Sequence, residues 1–292
     1  MNITQATYGG VDCLAQVLQK VKDDKLIIRS TNDIIGDVSP GVVKNLVVTF
    51  ELKTGEQETI STKEGDLLVY PPTQNDRLGI FYSNNNNPNI YSAIRGSLKS
   101  IKAAAGDKVD ILTCMWNHES ENPFMEYIAW TQTGSHLNQL LQIMQLLYAA
   151  RQIHNYKYVS FLEHDVLYPE GYFDYPDFPK GAVITNMNYG GINRKGWQTR
   201  GQDDEPFHQM TMHFDDAIAH CESILANALV TNSGMIEPQT ITRKQWMCKN
   251  RAIHINHGSH FTSHYNVYRS DNVSATDPYW GNHKDYLHVF TE

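Results

Sequence analysis

Hydrophobic and polar positions follow two rhythms along the chain. Up to residue 72, short apolar runs alternate with turn-forming residues. K-L-I-I-R-S, N-L-V-V-T-F-E-L and D-L-L-V-Y are the strand candidates, separated by N-D-I-I-G-D, S-P-G and K-T-G-E. This spacing predicts a small β-rich accessory module over 1–72. Within it, V-D-C-L-A-Q-V-L-Q-K-V fits a short helix or an irregular strand. Pro71-Pro72-Thr73-Gln74-Asn75-Asp76 reads as a linker, and a second domain follows over 73–292. There the rhythm lengthens. R-L-G-I-F-Y-S-N-N, V-D-I-L-T-C-M-W, Val159 to Leu162 and A-V-I-T-N-M-N-Y-G-G read as buried strands. Between the first three lie I-Y-S-A-I-R-G-S-L-K-S-I-K-A-A and Ser135 to Arg151, both with helical spacing. D-D-A-I-A-H-C-E-S-I-L-A-N-A-L adds a further helix. Strands alternating with helices argue for an α/β fold with a mainly parallel sheet flanked by helices.

Chemistry concentrates where the third strand ends. Val159 to Leu162 run directly into Glu163-His164-Asp165. In α/β sheets the strand C-termini face the ligand. Residues i and i+2 of extended chain point the same way, so Glu163 and Asp165 aim together while His164 turns away. Two converging carboxylates suit a hard divalent cation, Mg²⁺ or Mn²⁺, and such an ion suits a phosphate-bearing substrate.

The order of helix, buried strand, acidic-x-acidic and the loop L-Y-P-E-G-Y-F resembles the DxD-type motif of GT-A glycosyltransferases, from about Arg77 to Tyr268. The resemblance implies a GT-A (Rossmann-like) catalytic domain, a nucleoside-diphosphate sugar as donor, a UDP-sugar foremost, and Mn²⁺ or Mg²⁺ as cofactor. It assigns donor binding to Tyr82, Ser83 and Asn84 after the first strand, and to His136 and Gln139 at the start of the helix before the motif. His164 joins this donor set, and exposed Arg95 is a weaker candidate. Tyr82 would stack on a base or serve as an ordinary strand aromatic. No G-x-G-x-x-G follows the first strand, which disfavours a Rossmann dinucleotide site.

The resemblance also implies that metal ligation by Glu163 and Asp165 is completed by a C-terminal histidine. I-H-I-N-H-G-S-H-F-T-S-H carries His254, His257, His260 and His264, and sequence order favours His260 or His264. A general base is sought among Asp203, Asp204 and Glu205, or Asp215 and Asp216, with Asp216 preferred. Either Asp of the last pair serves equally as a helix N-cap. N-Y-G-G-I-N-R-K-G-W-Q-T-R-G-Q interleaves Arg194, Lys195 and Arg200 with Tyr189 and Trp197. Such a loop would hold an acceptor, nucleic acid included, or close as a lid.

Composition narrows the field. Of 292 residues, 41% are hydrophobic and 19% charged, which supports a packed core. A net charge of −8 speaks against binding nucleic acid through global charge. Cys13, Cys114, Cys221 and Cys248 form no C-x-x-C pair and suit reduced thiols in a cytoplasmic enzyme. No membrane span and no signal peptide are evident. The chain resembles compact glycosyltransferases of bacteria and their viruses, for which the expected acceptor is a hydroxymethylated pyrimidine in phage DNA, within the host cytoplasm if viral. The alternatives are a polysaccharide or protein acceptor, a His/carboxylate metal hydrolase binding Zn²⁺, or a silent binding module.

Overall fold

A computed structural model describes residues 2–22, 24–52, 54–72, 75–83, 90–116, 122–129, 136–199, 209–231, 242–255 and 273–290. The chain divides into two compact units. One comprises Met1–Gln74 with Ala149–Asn155, the other Asn75–Tyr148 with Tyr156–Glu292.

The smaller unit is built of two antiparallel sheets. One has the order Val11–Asp12, Asn2–Tyr8, Asn45–Glu51, Gln57–Lys63; the other has Val21–Lys22, Lys25–Arg29, Leu67–Tyr70. The ambiguous stretch after Gly10 is part strand and part helix, with Leu14–Leu18 helical between two short strands. Alternate residues such as Leu26, Ile28, Leu46, Val48 and Phe50 fill the core. Gln57–Lys63 escapes the apolar pattern because it is an edge strand with one buried residue, Thr62.

Lys44 anchors a loop of this unit. Its side chain is buried, and its ammonium donates to Asp37 Oδ1 at 2.8 Å, Val42 O at 3.1 Å and Ser39 O at 3.3 Å. The bond from Lys44 holds Asp37 below the usual carboxylate range. The Lys44 backbone N–H does the same for Glu64, at 3.0 Å. Groups with depressed folded pKa values stabilise fully above their ordinary values, and that stability is lost as pH falls through the depressed ones. Amide protection in Asn45–Glu51 is therefore expected to decline below about pH 4. In Lys44→Met it should be lower at neutral pH, with a flatter acid limb. Hydrogen exchange at a series of pH values reads both effects.

The larger unit is organised on a seven-stranded sheet. Its order is Met125–Ile128, Asp110–Met115, Arg77–Ser83, Tyr158–Glu163, Met210–His213, Ala182–Asn186, Thr242–Trp246. All neighbours are parallel except Met210–His213, which runs against both of its partners. Among the described residues its α-helices are Tyr91–Ala105, Phe214–Thr231 and the part of His136–Ile153 up to Tyr148. The mainly parallel α/β architecture expected from the pattern is thus present. Every residue of Tyr158–Glu163 except the last is buried, as a strand covered on both faces requires. Ser160 and Thr211 hydroxyls pair at 2.9 Å inside the sheet, so each satisfies the other.

A five-stranded sheet completes the unit: Val166–Leu167, Ala252–Ile255, Tyr189–Asn193, Gly196–Thr199, Val273–Ser274. The chain leaves the large sheet at Glu163 and enters the small one at Val166, so the acidic triplet sits at the junction of the two sheets.

Candidate active site

Arg77–Ser83 is flanked by Asp110–Met115 on one side and Tyr158–Glu163 on the other. The chain order reverses about that first strand. Such a switch point opens a crevice at the carboxyl ends of its strands, where α/β sheets bind ligands. Tyr82, Ser83 and Glu163 stand at that edge, with Glu163 in register with Tyr82.

Neighbouring side chains hold the Glu163 carboxylate. Tyr82 Oη and Gln139 Nε2 each donate to Oε1 at 3.3 Å. Its backbone N–H donates to Tyr168 Oη at 2.9 Å. Burial, with smaller contributions from Tyr172 and the nearby carboxylates, keeps the Tyr168 phenol well above its ordinary pKa and hence protonated. Gln142, one turn beyond Gln139 on the helix His136–Ile153, donates Nε2 to Ser83 O at 2.8 Å. One helix face therefore fastens the ends of both strands.

Asp165 is 4% exposed and faces His254, with Oδ2 to Nε2 at 3.1 Å. The small sheet creates this pairing. Val166 lies opposite His254 in antiparallel register, and Ile255 N donates to Asp165 O at 2.6 Å. Burial pulls the imidazole pKa down, but Asp165, with a weaker contribution from Glu163, outweighs this and lifts it above the usual histidine value. The imidazole of His254 thus belongs to the acidic centre. Its signal in the sequence is A-I-H-I, a histidine inside an apolar strand. The favoured His260 and His264, and His257, lie outside the described residues. Among the described residues no three His, Cys, Asp or Glu side chains are grouped so as to hold a metal ion.

Several expected site residues have other partners or positions than the motif implied. Tyr82 and Ser83 are buried, and the Tyr82 hydroxyl is engaged with Glu163, so Tyr82 orients a carboxylate instead of offering a free face to a base. Ser97 Oγ donates to His164 O at 2.9 Å, which ties this turn to the helix Tyr91–Ala105. Arg95 lies exposed on the same helix. His136 opens its helix, and Asn84 is outside the described residues.

Asp215 and Asp216 are at the wrong end of the sheet for a base acting beside Glu163. Their helix follows His213, which lies opposite Tyr158, five residues before Glu163. At about 3.3 Å per residue the separation is roughly 16 Å. Asp215 pairs with Lys180 at 2.9 Å and Asp216 accepts from Gly181 N at 2.6 Å, so both have structural work. Asp203, Asp204 and Glu205 fall outside the described residues.

The basic-aromatic stretch is a hairpin. Tyr189–Asn193 pairs with Gly196–Thr199 across a two-residue turn, in which Asn193 Oδ1 accepts from Lys195 N and Gly196 N at 2.8 and 3.1 Å. Trp197 is buried, donates Nε1 to Gly281 O at 2.9 Å, and packs with Ile192, Ile253 and Val289. It is a core residue and not an acceptor platform. Arg194 donates to Phe290 O at 2.9 Å, and Lys195 is exposed. Arg200 is outside the described residues.

The four cysteines are unpaired and buried, and burial pushes the Cys114 and Cys221 thiols up to about 12, which makes them inert. Among the described residues no helix is long and apolar enough to cross a membrane.

The chain matches no protein-family model and no curated protein. Among solved structures it is similar to the galactosyltransferase LgtC, with 10% identity, a TM-score of 0.33, and coverage of 54% of this chain and 66% of that one. It is also similar to a nucleotide-diphospho-sugar transferase from Desulfovibrio desulfuricans G20, at 8% identity and TM-score 0.34, over 67% of this chain and 92% of that one. A third is a glycosyltransferase involved in glycosylation of the PBCV-1 major capsid, at 10% identity and TM-score 0.37, covering 61% and 92%.

Proposed function

We propose that the larger unit is a metal-dependent glycosyltransferase that takes its sugar from a nucleoside diphosphate, a UDP-sugar foremost. The observation that carries this reading is the Glu163–His164–Asp165 turn at the carboxyl edge of the switch-point strands, with Asp165 held 3.1 Å from His254. The Asp165 carboxylate is a donor that suits Mn²⁺ or Mg²⁺, the imidazole beside it favours Mn²⁺ of the two, and Glu163 places a further carboxylate nearby. Asp165 and His254 would hold the cation. When bound, it neutralises charge on the departing diphosphate.

The side chains around it do the positioning. Tyr82 and Gln139 fix the Glu163 carboxylate, and Tyr168 fixes its backbone, so the acidic edge is set before the donor arrives. An acceptor hydroxyl attacks the anomeric carbon, the bond from that carbon to the diphosphate oxygen breaks, and the hydroxyl proton passes to a carboxylate base. With Asp215 and Asp216 roughly 16 Å away along the sheet, Asp203, Asp204 and Glu205 are the remaining candidates for that base.

The acceptor reading shifts toward glycan or protein. A hydroxymethylated pyrimidine in phage DNA drew its support from a basic-aromatic surface. Trp197 is spent in the core and Arg194 donates to a backbone carbonyl, so among the described basic residues of the hairpin Lys195 is left to meet phosphate. The competing hydrolase reading relies on His257, His260 and His264 around Zn²⁺ without any nucleotide.

Thermal-shift titration with UDP, GDP and their sugars, with and without Mn²⁺, separates these readings. Stabilisation by a nucleoside diphosphate that requires Mn²⁺ is the expected result. Stabilisation by Zn²⁺ alone, or no response to nucleotide, would rule out the transferase.

A further inference from the structure

A second cleft of the larger unit, of about 600 Å³, is formed by two segments of the chain. Glu170 and Asp174 come from the stretch after Leu167, while Trp246, Met247, Lys249 and Asn250 come from the end of the edge strand and the residues beyond it. None of these residues belongs to the acidic centre.

The walls are held from beneath. Arg77 donates to the carbonyls of Phe173 and Tyr175, the latter at 2.9 Å, and its guanidinium lies 4.4 Å from the centre of the Tyr175 ring. Both residues flanking Asp174 are thereby fixed with their rings buried, and Asp174 itself is exposed. Trp246 leans on Tyr172 and Tyr175, with ring centroids 6.4 and 6.1 Å apart, and keeps part of its surface in solvent. Glu170 N donates to Tyr279 Oη at 3.0 Å. The cleft is therefore ordered by its own packing.

Its lining combines an aromatic surface with close-set acceptors and donors. A pyranose ring has complementary parts: a C–H face for an indole, and a rim of hydroxyls that donate to carboxylates and accept from ammonium or amide groups. A purely apolar ligand would strip water from Glu170 and Asp174 without replacing it. A phosphodiester would meet two carboxylates against one ammonium, Lys249. The cleft also lies within reach of the acidic edge. Ser160 aligns through Thr211 and Ile184 with Lys244, so Glu163 is level with Met247. Three inter-strand steps separate them, roughly 14 Å.

We propose that this cleft binds a neutral oligosaccharide, the non-reacting part of the acceptor; the acceptor role rests on the transferase reading, the sugar specificity on the cleft alone. The test is retention of the full chain on an array of neutral glycans, sulfated glycans and DNA oligonucleotides. Wild-type protein is expected on neutral glycans. Trp246→Ala and Asp174→Asn should weaken retention at least tenfold, and Trp246→Phe should preserve most of it. If Trp246→Ala does not fold, Asp174→Asn and Glu170→Gln decide, because both side chains are exposed. The proposal is overturned if no neutral glycan is retained, if the variants match wild type, or if only sulfated glycans or DNA are retained. UDP with Mn²⁺ is titrated on the same preparations. Glycan retention without a UDP response removes the transferase and the acceptor role but keeps the sugar site. A UDP response without glycan retention removes the sugar site alone.

Discussion

Asp165→Asn is expected to lower sugar transfer by about 10²-fold or more while the protein stays folded. Asparagine keeps the size of the side chain and an oxygen that still accepts from His254 Nε2, so the junction of the two sheets remains packed. What disappears is the negative charge. In wild type that charge is buried, faces His254 at 3.1 Å, and stands two residues from the Glu163 carboxylate. A divalent cation bound there would lose its strongest protein donor, and with it the neutralisation of the leaving diphosphate. Both halves of the effect are measurable: initial rates of UDP-sugar turnover at saturating Mn²⁺, and the UDP-dependent rise in melting temperature. A variant with near-wild-type turnover would remove Asp165 from the reaction. Lost nucleotide stabilisation together with an unchanged melting temperature of the free protein is the pattern that separates a functional loss from unfolding.

The acidic edge was legible because it is local. A buried strand, a period of two and two carboxylates are all written within Val159 to Asp165, and the parallel sheet follows from the strand-helix alternation around them. His254 was harder to single out, because its partner lies 89 residues upstream, in the turn between the two sheets. Only the antiparallel register of Val166 with His254 brings them together. The same limit explains Asp215 and Asp216. Their sequence position after the acidic loop suits an acceptor-side role, yet the preceding strand runs antiparallel and delivers them to the opposite edge. The hairpin of Arg194 and Lys195 misled for a related reason. Glycine and basic residues in that pattern describe a mobile loop as well as a tight turn between two buried strands. Only the partners of Trp197, contributed by Gly281 and the C-terminal 3-10 helix His283–Phe290, distinguish the two.

Trp197 therefore gives the second large effect, in stability and not in binding. Its indole is 1% exposed, its N–H is satisfied by Gly281 O, and its ring meets Tyr286 edge-on with centroids 5.3 Å apart. Trp197→Ala removes the largest fully buried side chain of this cluster and leaves Gly281 O without its donor. Truncating a buried tryptophan costs about 3–5 kcal/mol. Urea unfolding of the variant should show a midpoint lowered accordingly, with the slope unchanged. Lys195→Ala, two residues away and exposed, is the matched control and should stay within about 0.5 kcal/mol of wild type. If Trp197 instead formed part of an acceptor surface, the alanine variant would keep its stability and raise KM for the acceptor. Two residues of one hairpin, one buried and one exposed, therefore make the reading decidable by unfolding alone, before any acceptor is known.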